Sequence, residues 1–209
     1  QSGIVIGDPI NGRFFVLRSF DGGSTWRDVP FDNRPIADSG EACFAASGTN
    51  VRALDRDEAV FVSGGTKSRI FIRDKSFVLP IIQGKETTGA NSISVYDNGT
   101  RNGGKRMIVV GGNFNADSSS EKNCFFSDDG GKTWTAPKVP PHGYRSCVEF
   151  LSKKIILTCG INGIDYSSDG GKTFTWISKE GFHVCRIAKL GVTVFLAGTN
   201  GKIGKLVWE

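Results

Sequence analysis

The octapeptide SDDGGKTW at residues 127–134 recurs as SFDGGSTW at residues 19–26 and as SSDGGKTF at residues 167–174. The shared pattern is Ser-x-Asp-Gly-Gly-x-Thr followed by Trp or Phe, and we name each copy a box turn. Its Asp carboxylate can accept backbone N–H bonds across the turn, its glycines can adopt positive φ, and its Thr can begin a β-strand. Three copies of one turn indicate a repeat protein built from β-hairpins.

The spacing of the box turns gives the size of the repeat. Asp129 and Asp169 lie 40 residues apart, which is about the length of one four-stranded antiparallel sheet with its turns. Asp21 and Asp129 lie 108 residues apart, which leaves room for a further repeat between them. The segment IFIRDKSF at residues 70–77 keeps an Asp and a closing aromatic residue but lacks both glycines, so we interpret it as a degenerate copy.

Apolar runs of strand length, bounded by Gly, Asn, Asp and Pro, occur along the whole chain, and no sustained helical periodicity is present. The box turns resemble the Asp box, or BNR repeat, of β-propeller blades. Together these features predict an all-β fold, a β-propeller of four-stranded antiparallel blades near residues 1–36, 37–84, 85–140, 141–180 and 181–209. The resemblance gives a structural role to Asp21, Gly23, Thr25, Trp26, Asp129, Gly131, Thr133, Trp134, Asp169, Gly171, Thr173 and Phe174.

A second set of repeats predicts the two inner strands of four blades. First strands are predicted within 40–44, 89–93, 143–148 and 181–185, and each of these segments opens with Gly. Second strands that end in small residues are predicted at 60–64, 108–111, 156–160 and 194–198. In this register Cys43, Cys147 and Cys185 occupy one repeat position, as small buried residues that fill equivalent gaps.

The strand count predicts incomplete blades at both ends. The first blade lacks its innermost strand and the last lacks its outermost strand. We therefore expect an open arc of about five blades, cut from a larger ring, or self-association that covers the open ends.

A family resemblance rests on the segments GDPINGRF at 7–14, CFAASGTN at 43–50, GYRS at 143–146, GFH at 181–183 and GKIGKL at 201–206. Over essentially its whole length the chain resembles the bacterial BNR/Asp-box proteins described as photosystem II stability/assembly factor-like, or "oxidoreductase-like". The resemblance implies the C-terminal portion of a propeller of about seven blades, export to the periplasm or the cell exterior, and a binding scaffold. No cofactor motif supports the oxidoreductase description.

We select candidate binding residues just before or within the predicted inner strands. These positions lie at the mouth of a propeller, where loops usually bind partners. Arg145 is the strongest candidate, because a guanidinium can pair bidentately with a carboxylate or phosphate. The alternative is that these positions are ordinary solvated residues. The candidates are Glu41, Asn91, Tyr144, Arg145, His183 and Arg186.

Catalysis is disfavoured, since the sequence contains no nucleotide-binding glycine motif, no serine-hydrolase elbow and no zinc-protease motif. No cofactor or metal is predicted. Box turns also occur in sialidases, so a carbohydrate-active or glycan-binding propeller remains the alternative. A sialidase-like site would require Tyr144, Arg145 and a carboxylate such as Glu41 in one pocket. His183 and Cys185 lie on one face of a strand and could form a metal pair, although buried packing is favoured for the cysteine.

The composition restricts the partners further. The net charge is +5 with a pI of about 9.0, and the short Lys clusters lack interleaved aromatic residues. Nucleic acid is therefore disfavoured, whereas a protein partner, including an acidic one, or a glycan is compatible. Five cysteines without regular spacing predict free thiols. No apolar run reaches membrane-spanning length, and the compartment is indicated only by the family resemblance.

Overall fold

The chain folds into five antiparallel β-sheets in the computed structural model, which describes residues 2–54, 58–96 and 103–207. Short 3-10 turns at Phe31–Asn33, Phe114–Ala116 and Thr199–Gly201 are the helical elements of these ranges. No helix there combines the length and apolar character needed to span a membrane. The all-β prediction is confirmed.

The sheets follow one another along the sequence, except that two short strands from an earlier part of the chain extend the third sheet. The first contains β1 (Gly3–Ile10), β2 (Arg13–Ser19) and β3 (Arg27–Asp28). The second contains β5 (Val51–Ala53), β6 (Ala59–Val62), β8 (Arg69–Ile72) and β9 (Lys75–Val78). The third contains β10 (Thr88–Tyr96), β11 (Arg106–Asn113) and β12 (Cys124–Ser127), and it is extended by β7 (Gly64–Gly65) and β4 (Glu41–Ala42). The fourth contains β13 (Cys147–Phe150), β14 (Ile156–Gly160), β15 (Gly163–Ser167) and β16 (Thr175–Ser178). The fifth contains β17 (Val184–Ile187), β18 (Val194–Ala197) and β19 (Ile203–Leu206).

The hydrophobic core lies between neighbouring sheets. Val60 and Val62 of β6 pack in one cluster with Ile93 and Val109 of the third sheet. A second cluster joins the fourth sheet to the fifth. Successive sheets therefore bury apolar faces against one another, as expected for stacked propeller blades.

The box turns close the outer hairpins of their sheets by hydrogen bonds to the Asp side chain. Asp129 Oδ1 accepts from the backbone N–H of Thr133 at 3.0 Å, and Asp129 Oδ2 accepts from the Thr133 hydroxyl at 2.6 Å. Ser127 Oγ donates to Asp129 at 2.8 Å and accepts from the backbone N–H of Gly131, whose φ is 83°. The same bonds recur in the other two box turns.

The degenerate copy at residues 70–77 also forms a hairpin at the equivalent place, between β8 and β9. Ile72 pairs with Lys75, and the turn residue Arg73 has a φ of 57°. Asp74 accepts no hydrogen bond from any residue in the described ranges. Without the two glycines the turn shrinks to two residues and loses its Asp-centred bonds.

Successive sheets meet where the start of an inner strand contacts a glycine at or near the end of a second strand. The backbone N–H of Arg145 donates to the carbonyl of Gly111 at 2.9 Å, and that of Phe182 donates to the carbonyl of Gly160 at 3.0 Å. A Cβ added at Gly111 would lie 1.9 Å from the carbonyl oxygen of Gly89. These contacts therefore explain why small residues end the second strands.

The predicted first strand at 40–44 is wrong for the second sheet, whose innermost strand is β5. Only β4 forms in that segment, because the N–H of Cys43 donates to the carboxylate of Asp8 at 2.9 Å and the chain turns toward the first sheet. Cys43 consequently packs with Phe14 and is not equivalent to Cys147 and Cys185. All five cysteines are nevertheless buried and free.

The end strands belong to separate sheets. In β1, Ile4 pairs with Arg18 of β2, and in β19, Leu206 pairs with Val194 of β18. Pairing of the two ends within one sheet, which would have contradicted the predicted arc, is not found among the described strands.

Replacing Asp169 with Ala removes the acceptor for the N–H groups of Lys172 and Thr173 and for the Thr173 hydroxyl. We expect the melting temperature to fall by about 2–4 °C, since turn donors lose their partner. Asp74→Ala is the matched control, because it removes the corresponding Asp from the degenerate turn. Equal melting curves for both variants would contradict the structural role of the box Asp.

The box turns also predict acid sensitivity. Burial alone would raise the pKa of Asp169, but hydrogen bonds from Thr173 and Ser167 outweigh it and lower the pKa from 3.8 to about 2. The folded-state pKa lies below the unfolded one, so the stabilisation is complete above about pH 4 and is lost as the pH falls toward 2. We expect the difference in melting temperature between the parent and Asp169→Asn to be constant near neutral pH. A difference that does not shrink between pH 4 and 2 would contradict this assignment.

Candidate functional site

A pocket of about 290 Å³ opens where the second, third and fourth sheets meet, at the end where their inner strands begin. We name it the mouth pocket. It brings together two of the six predicted binding residues, Asn91 and Tyr144. Its lining residues are Phe44, Ala45, Ala46, Glu86, Thr87, Asn91, Phe114 and Tyr144.

A buried hydrogen bond organises the polar side of the mouth pocket. The Tyr144 hydroxyl donates to Asn91 Oδ1 at 2.8 Å, and both residues are buried. Burial raises the pKa of Tyr144 to about 12, so the phenol stays neutral and remains a donor. The other polar atom of the Asn91 amide, Nδ2, is buried without a hydrogen-bond partner in the described structure. An unsatisfied buried donor is costly and marks a point where a ligand acceptor would be stabilised.

The remaining wall of the mouth pocket is mainly apolar. The ring of Phe114 meets that of Tyr144 edge-on, with 5.6 Å between ring centroids, yet Phe114 is 54% exposed. The 3-10 turn that carries Phe114 is capped by Asn113, whose side chain accepts from the N–H of Asn115 at 3.0 Å. Ala45 and Ala46 are exposed on the opposite loop. The pocket therefore combines a fixed aromatic wall with a single unsatisfied amide donor.

Arg145 lies outside the mouth pocket and is fully buried, at 0% exposure. Its Nε donates to Asp165 Oδ2 at 2.6 Å, and a second guanidinium nitrogen contacts the same carboxylate. Nη1 donates to the carbonyl of Tyr144 at 2.9 Å. The guanidinium thus pairs with a carboxylate, as expected from the sequence, but two of its nitrogens contact one oxygen, Oδ2, and the partner is in the same chain.

Glu41 is buried in a comparable ion pair. Arg69 of β8 donates from Nε to Glu41 Oε1 at 2.9 Å and contacts the second carboxylate oxygen, and the Ser63 hydroxyl also donates to this carboxylate. In both ion pairs, a residue two positions before a cysteine pairs with a residue on the third strand of a sheet. The charges are reversed, because the residue before the cysteine is the acid Glu41 in one pair and the base Arg145 in the other. Neither Glu41 nor Arg145 lines the mouth pocket.

The last two candidates lie on and just before β17. His183 is half-buried, and its backbone N–H donates to the carbonyl of Ala197 at 2.8 Å. Arg186 is exposed and pairs with Glu149 at 2.9 Å, while Arg52 reaches the same carboxylate oxygen at 3.1 Å. We name Arg52, Glu149 and Arg186 the inner-strand charge cluster. No group of three His, Cys, Asp or Glu in the described ranges is placed to hold a metal.

Sequence reasoning missed the aromatic residues of the pocket wall, Phe44 and Phe114. Each lies in a loop rich in small and polar residues, CFAASG at 43–48 and NFNADSSS at 113–120. A small polar loop offers no hydrophobic core in which an aromatic side chain could be buried. An aromatic residue in such a loop therefore indicates an exposed apolar surface, and this is the sequence signal that could have identified Phe44 and Phe114. Glu86 at the rim has no comparable signal in the sequence.

Replacing Arg145 with Ala leaves the Asp165 carboxylate buried without its cation. We expect this to reduce the free energy of unfolding by about 3–5 kcal/mol. The double variant Arg145→Met with Asp165→Leu removes both charges and is expected to recover most of that loss, as measured by urea denaturation. A single variant as stable as the parent would show that the ion pair has no structural role.

No protein-family model matches the sequence, and no curated protein sequence matches it. Solved structures do match. YCF48 from Cyanidioschyzon merolae aligns with a TM-score of 0.55 at 14% identity, over 95% of this chain and 65% of that one. The GH74 enzyme of Niastella koreensis aligns with a TM-score of 0.56 at 17% identity, over 98% of this chain and 35% of that one.

A third structure, YCF48 bound to D1 peptide, aligns with a TM-score of 0.49 at 14% identity, over 78% of this chain and 53% of that one. This chain spans between about a third and two thirds of the length of the three matched chains. At these identities the likeness establishes the fold alone. The chain has a β-propeller fold similar to that of YCF48 and of the GH74 propeller.

Proposed function

We propose that this chain is a non-catalytic binding scaffold that recognises a segment of a partner protein through the mouth pocket. The observation that carries the proposal is the buried Asn91 Nδ2, a donor without a partner beside an apolar wall. A peptide supplies both groups that such a site requires. Its backbone carbonyl would accept from Asn91, and a neighbouring apolar side chain would cover the wall at Phe114.

The size of the mouth pocket favours one or two side chains of a peptide. Its volume of about 290 Å³ lies at the lower end of the range for small-molecule sites. The exposed edge of Phe114 and the alanines at 45 and 46 offer apolar contact beyond the pocket itself. Exposed aromatic groups beside a small cleft are typical of the anchoring points of protein interfaces.

The charge at the rim restricts the partner segment. Glu86 is exposed there and is the one carboxylate among the residues that line the pocket. A neutral or basic segment therefore suits the mouth pocket better than an acidic one. The net charge of +5 is carried elsewhere on the surface, where an acidic protein or glycan could still make contact.

The alternative, a carbohydrate-active propeller, has weaker support. A sialidase-like site needs Tyr144, Arg145 and a carboxylate directed at one substrate. The Tyr144 hydroxyl is engaged with Asn91, and the Arg145 guanidinium is engaged with Asp165 outside the pocket. Sugar hydroxyl groups would also meet a mainly apolar wall, where few polar groups could satisfy them.

The proposal extends to the family resemblance found in the sequence. We assign the chain to the photosystem II stability/assembly factor-like propellers, as part of a ring of about seven blades that is exported by a bacterium. The box turns and the β-propeller fold support this assignment.

The experiment is to select a displayed random-peptide library against the immobilised protein and to measure the enriched peptides by fluorescence anisotropy. Ala46→Trp should weaken their binding at least tenfold, because the indole fills the mouth pocket. Ala46 is exposed, so the substitution leaves the core intact.

Ala136→Trp is the matched control, since Ala136 is also exposed but lies beyond the box turn of the third sheet. This variant should bind the selected peptides as the parent does. If no peptide is enriched, or if both tryptophan variants bind equally well, the mouth pocket is not the recognition site.

A further inference from the structure

Three buried thiols converge where the fourth and fifth sheets meet, away from the mouth pocket. They belong to Cys147 on β13, Cys159 on β14 and Cys185 on β17, and all three residues are fully buried. The sulfur atoms of Cys147 and Cys185 are 3.8 Å apart. None of these thiols has a part in the proposed peptide recognition.

The contacts of Cys147 hold its sulfur beside Cys185. The backbone N–H of Cys185 lies 3.4 Å from the Cys147 sulfur, and the Cys185 carbonyl is also 3.4 Å from it. The Thr49 hydroxyl approaches the same sulfur at 3.6 Å. A disulfide requires the sulfurs to approach to about 2.05 Å, which the flexible Cys side chains can reach by small rotations on strands that are already neighbours.

The surroundings favour Cys147 as the nucleophile. Burial would raise the pKa of Cys147, but hydrogen bonds from the thiols of Cys159 and Cys185 and from the Cys185 N–H outweigh it and hold the pKa well below its usual value. For Cys185, hydrogen bonds with the other two thiols and burial raise the pKa. The thiolate is the reactive form of cysteine, so the two thiols have different roles in an oxidation.

We propose that Cys147 and Cys185 form a disulfide when the protein meets a two-electron peroxide oxidant. The Cys147 thiolate attacks one oxygen of hydrogen peroxide, the O–O bond breaks, and a sulfenic acid and hydroxide are formed. The Cys185 sulfur then attacks the sulfenic sulfur, the S–O bond breaks, and water leaves. Hydroxide takes up the proton that Cys147 had released, so two thiols and one peroxide give one disulfide and two waters.

The oxidant would reach the buried thiols past the inner-strand charge cluster. Glu149 lies two residues after Cys147, hence on the same face of the strand, and belongs to the inner-strand charge cluster. Arg186 of that cluster follows Cys185 directly and is exposed. A local opening of this cluster would admit a molecule as small as hydrogen peroxide.

The disulfide would join the inner strands of two successive sheets. The two cysteines are 38 residues apart in the sequence, so the new bond would close a long loop and constrain the unfolded chain. Pairing with Cys159 is the competing outcome, since Cys159 lies directly opposite Cys147 in the β13–β14 register. Such a bond would remain within the fourth sheet.

The test treats the reduced chain with hydrogen peroxide, blocks the remaining thiols with iodoacetamide in denaturant, and maps the peptides by mass spectrometry. We expect the number of free thiols to fall from five to three, with Cys147 linked to Cys185 and a higher melting temperature. Reduction with dithiothreitol should reverse both changes.

Cys43→Ser is the matched control, because Cys43 is buried in a different cluster, and it should still form the disulfide. Cys185→Ser should not form it. Peptide mapping of the parent chain decides the question even where a Ser variant does not fold. Five unmodified thiols after treatment, or a link between Cys147 and Cys159, would overturn the proposal.

Discussion

The close approach of backbone to backbone between successive sheets is the constraint on which the rest of the structure depends. The N–H groups that begin the inner strands reach carbonyl groups of Gly111 and Gly160, at distances of 2.9 and 3.0 Å. A side chain at Gly181, just before β17, would force the sheets apart, since its Cβ would lie 2.1 Å from the carbonyl oxygen of Ile161, which follows β14 of the preceding sheet. Glycine at these positions therefore allows the blades to stack closely. Close stacking in turn brings together the loops that precede the inner strands.

The mouth pocket depends on a chain of buried polar contacts behind it. Asp165 holds the Arg145 guanidinium, which donates to the carbonyl of Tyr144, and the Tyr144 hydroxyl then fixes the side chain of Asn91. The ion pair is therefore a support for the pocket, although neither charge lines it. Positioning by a buried network gives the Asn91 amide one orientation, in which Nδ2 has no hydrogen-bond partner in the described structure.

Local features were readable from the sequence, whereas contacts between repeats were not. The box turns are determined by residues within eight positions, so the bonds of Asp129 and Asp169 follow from their own octapeptides. Asn91 and Tyr144 were found because the repeat register places them near the starts of inner strands. The burial of Arg145 depends on Asp165, which lies on another strand and has no recognisable motif. The loop that separates β4 from β5 likewise follows from the contact of Cys43 with Asp8 in a different sheet.

The two exchanged ion pairs have a consequence for how a repeat protein avoids misassembly. Similar repeats can dock on the wrong neighbour while the chain folds, since their glycines and apolar strands are alike. If the segment around Glu41 docked where that around Arg145 belongs, the Glu41 carboxylate would be buried against Asp165, while Arg145 would meet Arg69 in the reverse error. Buried like charges are strongly unfavourable, so the opposite polarities restrict each of the two segments to the strand that carries its own ion-pair partner.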